Sequence, residues 1–464
     1  MKKGGYGAGL WRQCLRQALP AAAEMLLNGL TALTGTLMAG RLGAEALATV
    51  GLTVQPRLMQ LCLFSAVGIG TTAAVAGETG GKNEKGAAGV WAVALWVTVV
   101  LAAVETVLSC IFAEEIMRFA AGGRGAKQPA ADAAVSFFRT VSLSLLPSAL
   151  SVCIGGGLRG MGRAGAALWV NLTVFLTNAA LIVPMTRGLL FFPEMGVQGI
   201  AVAAAVSAAA GCAAAGGIMA AGRKEKRLLR WGGKPAPGVQ GMRILLWTGG
   251  NAAAEQAGLR IGYFFCTRML YGLGTGAFAA NQACAQLLNL TFFVGDGLGA
   301  AATALVRREA GGGKGDRARQ CGNVCFFCAL IGAAAIGVFL LCVRHPLAGW
   351  LVGAENGDAA QVRTLVASTL PAVALAQLFQ MTASALGGAL RGMGDNRFVA
   401  FVSVGCVAGL RVLLSDLAVR VWRLSLPGVW LAATAETAVR LLCLGIRYMR
   451  LQMHKKSPPV HPDP

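Results

Sequence analysis

The chain has 464 residues, of which 56% are hydrophobic and 13% are charged, whereas a soluble domain carries about 25% charged residues. Since a soluble core stops growing at about 250 to 300 residues, this apolar surplus indicates a lipid-embedded protein. The net charge of +21 would suggest nucleic-acid binding in a soluble protein, but the basic residues lie mainly between apolar runs, which excludes that interpretation.

Twelve apolar runs are long enough to cross a membrane, because about 20 helical residues span roughly 30 Å of hydrocarbon. They lie near 17–39, 50–76, 88–112, 135–157, 164–186, 196–221, 244–270, 277–305, 320–342, 362–389, 398–419 and 425–446. The first run is too long for a signal peptide and another span follows at once. The sequence therefore predicts an all-α polytopic membrane protein with 12 transmembrane helices.

Lysine and arginine are distributed unequally between the loops on the two sides of these spans. One side, which includes both termini, holds 26 of them, and the other side holds 8. Because cytoplasmic loops are enriched in basic residues, we expect both termini to face the cytoplasm. The expected location is the bacterial cytoplasmic (inner) membrane, which the chain crosses many times.

The sequence repeats itself at half its length. LRGMG occurs at 158–162 and again at 390–394, and Ala23-Glu24 recurs 231 positions later as Ala254-Glu255. Ordered matches at a nearly constant offset predict two six-helix lobes related by an internal repeat, as in parallel-repeat transporters. The predicted divisions are an N-terminal lobe at 1–221, a basic cytoplasmic linker at 222–243, a C-terminal lobe at 244–446 and a cytoplasmic tail at 447–464.

Acids within the predicted spans need an explanation, because an unpaired carboxylate in hydrocarbon costs several kcal/mol. Glu436 and Arg440 are four residues apart on one helix face, as are Asp416 and Arg420, so both acids are predicted to form ion pairs. Glu105 lies near the outer end of its helix and is predicted to reach the interface.

Three acids remain, Glu24, Glu255 and Asp296, and these are the candidate coupling or substrate-binding groups. Glu255 is near the middle of the seventh span, and its nearest basic residue, Arg260, is rotated about 140° away on the helix. Glu24 has the equivalent place in the first half, with Asn28 on the same face. A structural acid bonded across a helix interface remains an alternative for both, and Asp296 either lines a cavity or caps a glycine-broken helix.

The residues of most membrane enzymes are absent from the predicted spans. All three histidines fall outside them, and the 13 cysteines lack paired spacing, which is typical of small, reduced, buried residues. The segment ETGGKN lacks the first glycine and the hydroxyl residue of a phosphate-binding loop. We therefore expect no ATP hydrolysis, no metal site and no cofactor, and we interpret the chain as a transporter and not as an enzyme.

Three groups of segments carry a family resemblance. They are ALPAAAEMLLNGL with MAGRLGAEALATVGL, NAAAEQAGLRIGYFFCTRMLYGLGTGAFAANQ with GLGAAATALVRREAGGGKGDRA, and GALRGMGDNRF with GLRVLLSDLA and GVWLAATAETAVR. In this order they resemble helices 1, 2, 7, 8 and 10 to 12 of the multidrug and toxic compound extrusion (MATE) family, in particular its bacterial DinF-like branch. The resemblance implies a cation-driven exporter whose two lobes enclose a cavity that opens alternately to either side. Asn178, Gln256 and Gln282 complete the candidate site.

The first half departs from the family pattern where coupling is concerned. Gly35 and Ile182 stand where related proteins often carry acids, and Arg163 follows the first LRGMG where an aspartate is usual. In the second half, the expected aspartate is present as Asp395 after LRGMG. Glu24, aided by Asn28 and Thr31, is then the only carboxylate left to the N-terminal site, which favours a proton over sodium because sodium takes several oxygen ligands.

The sequence thus predicts a secondary antiporter that exports amphipathic organic compounds, cationic ones among them, in exchange for H+ or Na+. Its expected partners are a small organic substrate, the coupling ion and membrane lipids, and the chain is expected to be a monomer. Two alternatives stay open. The same architecture also serves export or flipping of a lipid-linked or bulky metabolite, and a membrane receptor or scaffold would show no gradient-dependent flux.

The excess of basic residues on one side generates a topological prediction. A reporter enzyme that is active only in the cytoplasm, fused after Pro464, should be active in cells because the C-terminus lies on the basic side. The matched fusion after Arg187, in a predicted outer loop, should be inactive. Activity of a periplasmic reporter at Pro464 would contradict the orientation.

Overall fold

The computed structural model describes residues 8–120, 129–189, 192–221, 239–270, 275–351 and 359–453, and these ranges contain helices and no strand. The helices are α1 (Ala8–Leu42), α2 (Ala44–Gly80), α3 (Glu84–Ile111), α4 (Ala113–Ala120), α5 (Pro129–Ser142), α6 (Leu145–Gly160), α7 (Ala164–Arg187), α8 (Val197–Ala221), α9 (Val239–Leu270), α10 (Thr275–Gly311), α11 (Gly315–Cys342), α12 (Arg344–Leu351), α13 (Ala359–Met393), α14 (Asn396–Val421) and α15 (Leu426–Met453). The all-helical prediction is confirmed.

Nine of the described helices are long and apolar enough to cross a membrane: α2, α3, α7, α8, α10, α11, α13, α14 and α15. A tenth span is α5 with α6, which are bent by 41° at the break between Ser142 and Leu145. The remaining two predicted spans fall on α1 and α9. These helices have 35 and 32 residues, which is more than enough at 1.5 Å per residue, but they are more polar than the others.

The lipid-facing surface is visible on α3 as a stripe of exposed apolar side chains. Trp96 is 68% exposed, and Val100, Val104 and Val107 follow at helical spacing with more than half of their surface exposed. A soluble protein rarely leaves such a continuous apolar stripe open to water. The opposite face of α3, which includes Trp91 and Ala94, is buried against α2 and α6. This pattern is that of a multi-pass membrane protein.

The internal repeat is present in the helix boundaries. The helices α2 and α3 and their counterparts α10 and α11 end at Gly80 and Gly311 and at Ile111 and Cys342, and the short helix α4 and its counterpart α12 start at Ala113 and Arg344. The two members of every pair are 231 positions apart. This offset is the one at which Glu24 and Glu255 match in the sequence, so the predicted repeat is a repeat of structure.

One helix contact is made in the same way in both halves. The Thr72 hydroxyl on α2 donates to the carbonyl oxygen of Gly156 on α6 at 3.1 Å, and the Thr303 hydroxyl on α10 donates to that of Gly388 on α13 at 2.9 Å. Glycine allows the two backbones to approach closely enough for this bond. In hydrocarbon such a bond also satisfies a hydroxyl that has no water.

The repeated LRGMG motif closes α6 and α13. Its last glycine, Gly162 or Gly394, has a φ of 81° or 99°, which is the left-handed conformation that ends a helix and disfavours other residues. Its first glycine, Gly160 or Gly392, packs on the neighbouring helix, where a Cβ would lie 2.9 or 3.0 Å from the carbonyl oxygen of the facing threonine. The motif is therefore explained largely by packing.

The chain forms two compact units, each described here by itself. The N unit is Leu27–Ala253, and the C unit is Met1–Leu26 with Ala254–Pro464. The start of α1 thus groups with the second half of the chain, and the start of α9 groups with the first half. The lobe limits predicted at 221 and 244 differ from this grouping and stay a prediction.

Two of the predicted segments fall outside the described residues in whole or in part. Of the linker at 222–243, residues 222–238 are outside them, and 239–243 begin α9. Of the tail predicted at 447–464, residues 447–453 continue α15 and the rest lies outside.

The glycine contact in the C unit generates a stability prediction. Gly388→Ala places a methyl group against the Gly299 carbonyl, so we expect it to lower the free energy of unfolding by about 1 to 3 kcal/mol. Thermal unfolding of the purified protein in detergent measures the change. Gly217→Ala on α8 is the matched control, since a Cβ there meets nothing within 4 Å and alanine favours helix. Equal midpoints for the two variants would contradict the packing argument.

Candidate functional site

Glu255 forms a buried ion pair that links two helices of the C unit. Its Oε2 atom lies 2.6 Å from the NH2 nitrogen of Arg391, and the two side chains are 7% and 17% exposed. Arg391 is the arginine of the second LRGMG and lies in the last turn of α13. The sequence predicted correctly that Glu255 lacks a partner on its own helix, and its partner comes from 136 positions further along the chain.

Asp296 lies on α10 beside the same pair. The Ser384 hydroxyl on α13, seven residues before Arg391, donates to its Oδ1 at 3.5 Å. Asp296 is half-buried, while Glu255 is buried. Of the two roles left open for Asp296, capping of a broken helix is wrong, because α10 continues as helix to Gly311.

Glu24 approaches this region from α1. Gly297 on α10 packs against Ala21 and Ala22, and a Cβ at Gly297 would lie 2.6 Å from the Ala22 Cα. Glu24 follows that contact by two residues, and Asp296 precedes it by one. Both acids therefore lie within one helical turn of the crossing of α1 and α10, and Glu24 is buried there.

Glu436 is the most deeply buried acid of the C unit. Its side chain is 0% exposed and lies 3.6 Å from Arg440 on its own helix, as predicted, and also 3.6 Å from Arg411 on α14. Arg440 also donates a hydrogen bond to Gln380 on α13. The other predicted pair is also confirmed, since Asp416 lies 2.8 Å from Arg420, but that pair is largely exposed.

The candidate residues of the N unit lie on α1 and α7, which are joined by a side-chain hydrogen bond. Thr34 donates to the side-chain oxygen of Asn178 at 3.1 Å. Ile182 is buried one turn further on α7, and a Cβ at Gly35 would lie 3.6 Å from Ile200. Asn28 is half-buried on α1. Where related proteins often carry acids, the N unit thus has an apolar side chain and a glycine.

The remaining candidates lie at the edge of this arrangement or away from it. Gln256 is half-buried on α9 beside Glu255, whereas Gln282 is exposed on α10, so the structure does not bring Gln282 into the buried group. Its neighbour Asn281 is buried instead and accepts a bond from Trp430 at 3.1 Å. Glu105 is half-buried six residues before the end of α3.

Sequence reasoning missed the arginines that organise the site. Arg391 lies between the predicted spans 362–389 and 398–419, and Arg411 lies within the second of them with no acid four positions away on its helix. The available signal was the arginine of LRGMG, which directly follows an apolar run in both halves. Its counterpart Arg159 is also buried.

The family model MatE matches the chain twice, at residues 20–183 and 252–416. The chain belongs to the MATE family. The two matches start 232 positions apart, which agrees with the repeat in the helix boundaries. The family resemblance inferred from the sequence is therefore confirmed.

Curated MATE relatives cover most of the chain. A probable multidrug resistance protein NorM from Pseudomonas aeruginosa is 28% identical over 90% of this chain and 84% of its own length. A protein of the same description from Deinococcus radiodurans is 26% identical over 94% of this chain and 95% of its own length.

Solved structures have the same fold. A transporter of the MOP superfamily from Pyrococcus furiosus has a TM-score of 0.87 at 20% identity and covers 98% of this chain and 100% of its own. An outward-facing multidrug resistance MATE transporter has a TM-score of 0.86 at 19% identity and covers 97% and 100%. The membrane fold of a MATE transporter with two lobes is therefore established for this chain.

The Glu255–Arg391 geometry generates a prediction about stability. Glu255→Gln leaves a buried guanidinium that cannot lose its proton, so we expect a loss of about 3 kcal/mol or more. Arg391→Gln should cost less, because the carboxyl that remains can be neutralised by a proton. The double variant should lose less stability than the sum of the losses of the two single variants. Thermal unfolding in detergent measures all three.

The exposed pair Asp416 and Arg420 is the matched control for this cycle. Its two charges are 2.8 Å apart and the Arg420 side chain is 73% exposed, so its coupling energy should stay below about 1 kcal/mol. If the double variant loses as much unfolding free energy as Glu255→Gln and Arg391→Gln lose together, the two residues do not form a buried pair.

Proposed function

We propose that this MATE protein is a secondary antiporter of the bacterial cytoplasmic membrane that exports amphipathic organic compounds, cationic ones among them, in exchange for protons. Both termini face the cytoplasm in this proposal. The observation that supports it is the group of carboxylates within the membrane helices of the C unit, Glu24, Glu255 and Asp296. An intramembrane acid is costly, and in transporters it marks an ion or substrate path.

Competition at these carboxylates couples the two fluxes. An organic cation needs an ionised carboxylate, and a proton that binds the same group removes the charge that holds the cation. The substrate is then released on the side where protons enter. Motion of the lobes about the fixed site exposes the carboxylates alternately to the two sides of the membrane.

A proton suits this site better than sodium. A proton needs one carboxylate of suitable basicity, whereas sodium takes several oxygen ligands in a fixed arrangement. In the N unit, the side-chain oxygen of Asn178 already accepts a bond from Thr34, and Gly35 and Ile182 supply no side-chain oxygen. In the C unit, Arg391 and Arg411 already contact carboxylate oxygens of Glu255 and Glu436 that sodium would need as ligands.

Relatives support the class of substrate. The similar proteins from Pseudomonas aeruginosa and Deinococcus radiodurans are both described as probable multidrug resistance proteins, and this description is what we extend to the present chain. The exposed apolar side chains of α3 indicate that the chain is embedded in lipid, where amphipathic compounds accumulate.

This proposal predicts that a pH gradient alone drives export. Purified protein in proteoliposomes should move a fluorescent organic cation against its gradient when the compartment from which protons enter is acidic. A sodium gradient at equal pH on both sides should leave flux at the background of empty liposomes. Export that requires sodium at fixed pH would contradict proton coupling, and no flux under either gradient would contradict transport of cations.

The same assay tests the two acids that the repeat relates. Glu24→Gln and Glu255→Gln keep the side-chain volume but remove the titration, so each should lower pH-driven export by about tenfold or more, an effect typical of a lost proton-transfer group. The double variant should lose little more, because both acids serve one cycle.

Glu105→Gln is the matched control, since it removes an acid of α3 that belongs to no pair in the C unit. It should export at the wild-type rate in equal amounts of protein. Wild-type export by Glu24→Gln would remove that residue from the cycle and leave coupling to Glu255 and Asp296.

A further inference from the structure

Exposed aromatic residues recur at matched positions in the two halves of the chain. Phe119 on α4 and Trp350 on α12 are 231 positions apart, and Trp169 on α7 and Phe401 on α14 are 232 apart. These are the offsets of the repeat, and the four side chains are 64% to 86% exposed. Each compact unit therefore has one exposed aromatic residue on a short helix and one near the start of a long helix.

The largest buried aromatic residues do not recur in this way. Trp91 on α3 and Phe64 on α2 are 2% and 1% exposed, and the residues 231 positions later are Gly322 and Gly295. The repeat alone therefore does not account for the exposed rings, because the packing inside the two halves differs. A surrounding that both units share does account for them.

The short helices direct these side chains away from the protein. In α4, Met117 is buried in a cluster with Phe138 of α5. Phe119 follows two residues later, which is about 160° around the helix. In α12, Trp350 follows the buried Ala348 by the same two residues. Each short helix thus packs one face on its own unit and presents an aromatic ring on the opposite face.

The exposed face of α4 continues the lipid-facing stripe of α3. Val107 on α3 is 56% exposed, and Ile111 and Phe112 extend this exposed apolar surface to the start of α4. The same surface is present on α11, where Val338 and Phe339 are each 61% exposed shortly before α12 begins. Lipid that covers α3 and α11 therefore reaches the two short helices.

Charged side chains keep the short helices out of the hydrocarbon. Glu114 and Arg118 on α4 are exposed, as are Arg344 and His345 on α12. A charge at the centre of a bilayer costs several kcal/mol, whereas an amphipathic helix with apolar and charged side chains is stable in the interface plane. The Arg118–Glu114 pair, at 3.8 Å, is exposed and therefore weak, which leaves guanidinium N–H groups to bind lipid phosphate.

Trp169 and Phe401 have an equivalent place at the other end of each unit. Since α5 with α6 crosses the membrane after α4, α7 begins on the side opposite to α4, and α14 begins opposite to α12 for the same reason. Each residue is the sixth of its helix, which is about 7.5 Å from the helix start. Tryptophan is enriched at both interfaces of a membrane, and each of the two matched pairs contains one tryptophan.

We propose that these four aromatic residues are interface anchors that bind phospholipid, and that α4 and α12 lie in the lipid–water interface with their rings among the glycerol-ester groups. Phospholipid is the partner because the exposed surface is continuous with the lipid-facing surface of α3 and α11 and because each short helix also presents an arginine. Each unit then has its own anchor at both interfaces. Anchoring of this kind is independent of the substrate and of the coupling ion.

Quenching of tryptophan fluorescence in vesicles tests the depth of each ring. The full-length protein is reconstituted into phosphatidylcholine whose acyl chains carry bromine either near the glycerol ester or near the chain end. Phe119→Trp adds a fluorophore on α4 and Trp350→Phe removes one on α12, so the difference from the wild type reports each position. Bromine near the ester should quench both difference signals about twofold more than bromine near the chain end.

Trp96 on α3 is the matched control for depth. It is 68% exposed, but it lies about 18 Å from the start of its helix at Glu84, near the middle of the span. The signal that Trp96→Phe removes should be quenched more by bromine near the chain end. Trp169→Phe tests the opposite interface and should show the same preference as Trp350→Phe.

Three results at positions 119 and 350 would overturn the proposal. Quenching by aqueous iodide and by neither brominated lipid would show that the rings lie in water. Quenching by neither iodide nor lipid would show that protein covers them, as in contact with a second copy of this chain. Stronger quenching by bromine near the chain end would place the short helices in hydrocarbon. If one variant fails to accumulate, the other still decides, and a chain-end preference at Trp169 would overturn the anchor at the opposite interface.

Discussion

The cost of a charge in hydrocarbon determines the arrangement of the C unit. A carboxylate or guanidinium without a partner at membrane depth costs several kcal/mol, so each needs an opposite charge or a polar group. Glu255 and Arg391 meet this requirement across two helices, and Glu436 meets it with two arginines at once. Helix positions that would otherwise be set by packing alone are thereby fixed by electrostatics as well.

Packing and charge are divided between different residues of the same short motif. In LRGMG, the leucine is buried, the first glycine lies against a threonine of the neighbouring helix, and the last glycine ends the helix with a positive φ. These roles are the same at 158–162 and 390–394, so they follow from the fold. The arginine is not needed for the turn, and at Arg391 it serves as the partner of Glu255. A motif that is repeated for packing thus also carries a charged group that a site can use.

Much of this fold was predictable because its signals are local. Runs of apolar residues set the spans, and the offset of 231 to 232 set the repeat, which the helix ends reproduce. Pairs four residues apart, such as Glu436 with Arg440, were also predictable, since one helix fixes their distance. The partner of Glu255 was not, because a contact across 136 positions depends on which helices pack together. The grouping of the start of α1 with the second half of the chain depends on packing in the same way.

The two halves show how one backbone supports unequal chemistry. Both form the threonine–glycine contact between their second and fourth long helices, and both end the fourth with a left-handed glycine. The small residues at these contacts leave no room for a charge, so acids stand only at positions that the contacts do not use. Asp296 and Glu436 of the second half correspond, 231 positions earlier, to Ser65 and Ala205. Since the repeat preserves the contacts and not the charges, a site in one half needs no counterpart in the other. The residues of the proposed proton coupling therefore have to be sought one by one, and not by transfer from one half of the repeat to the other.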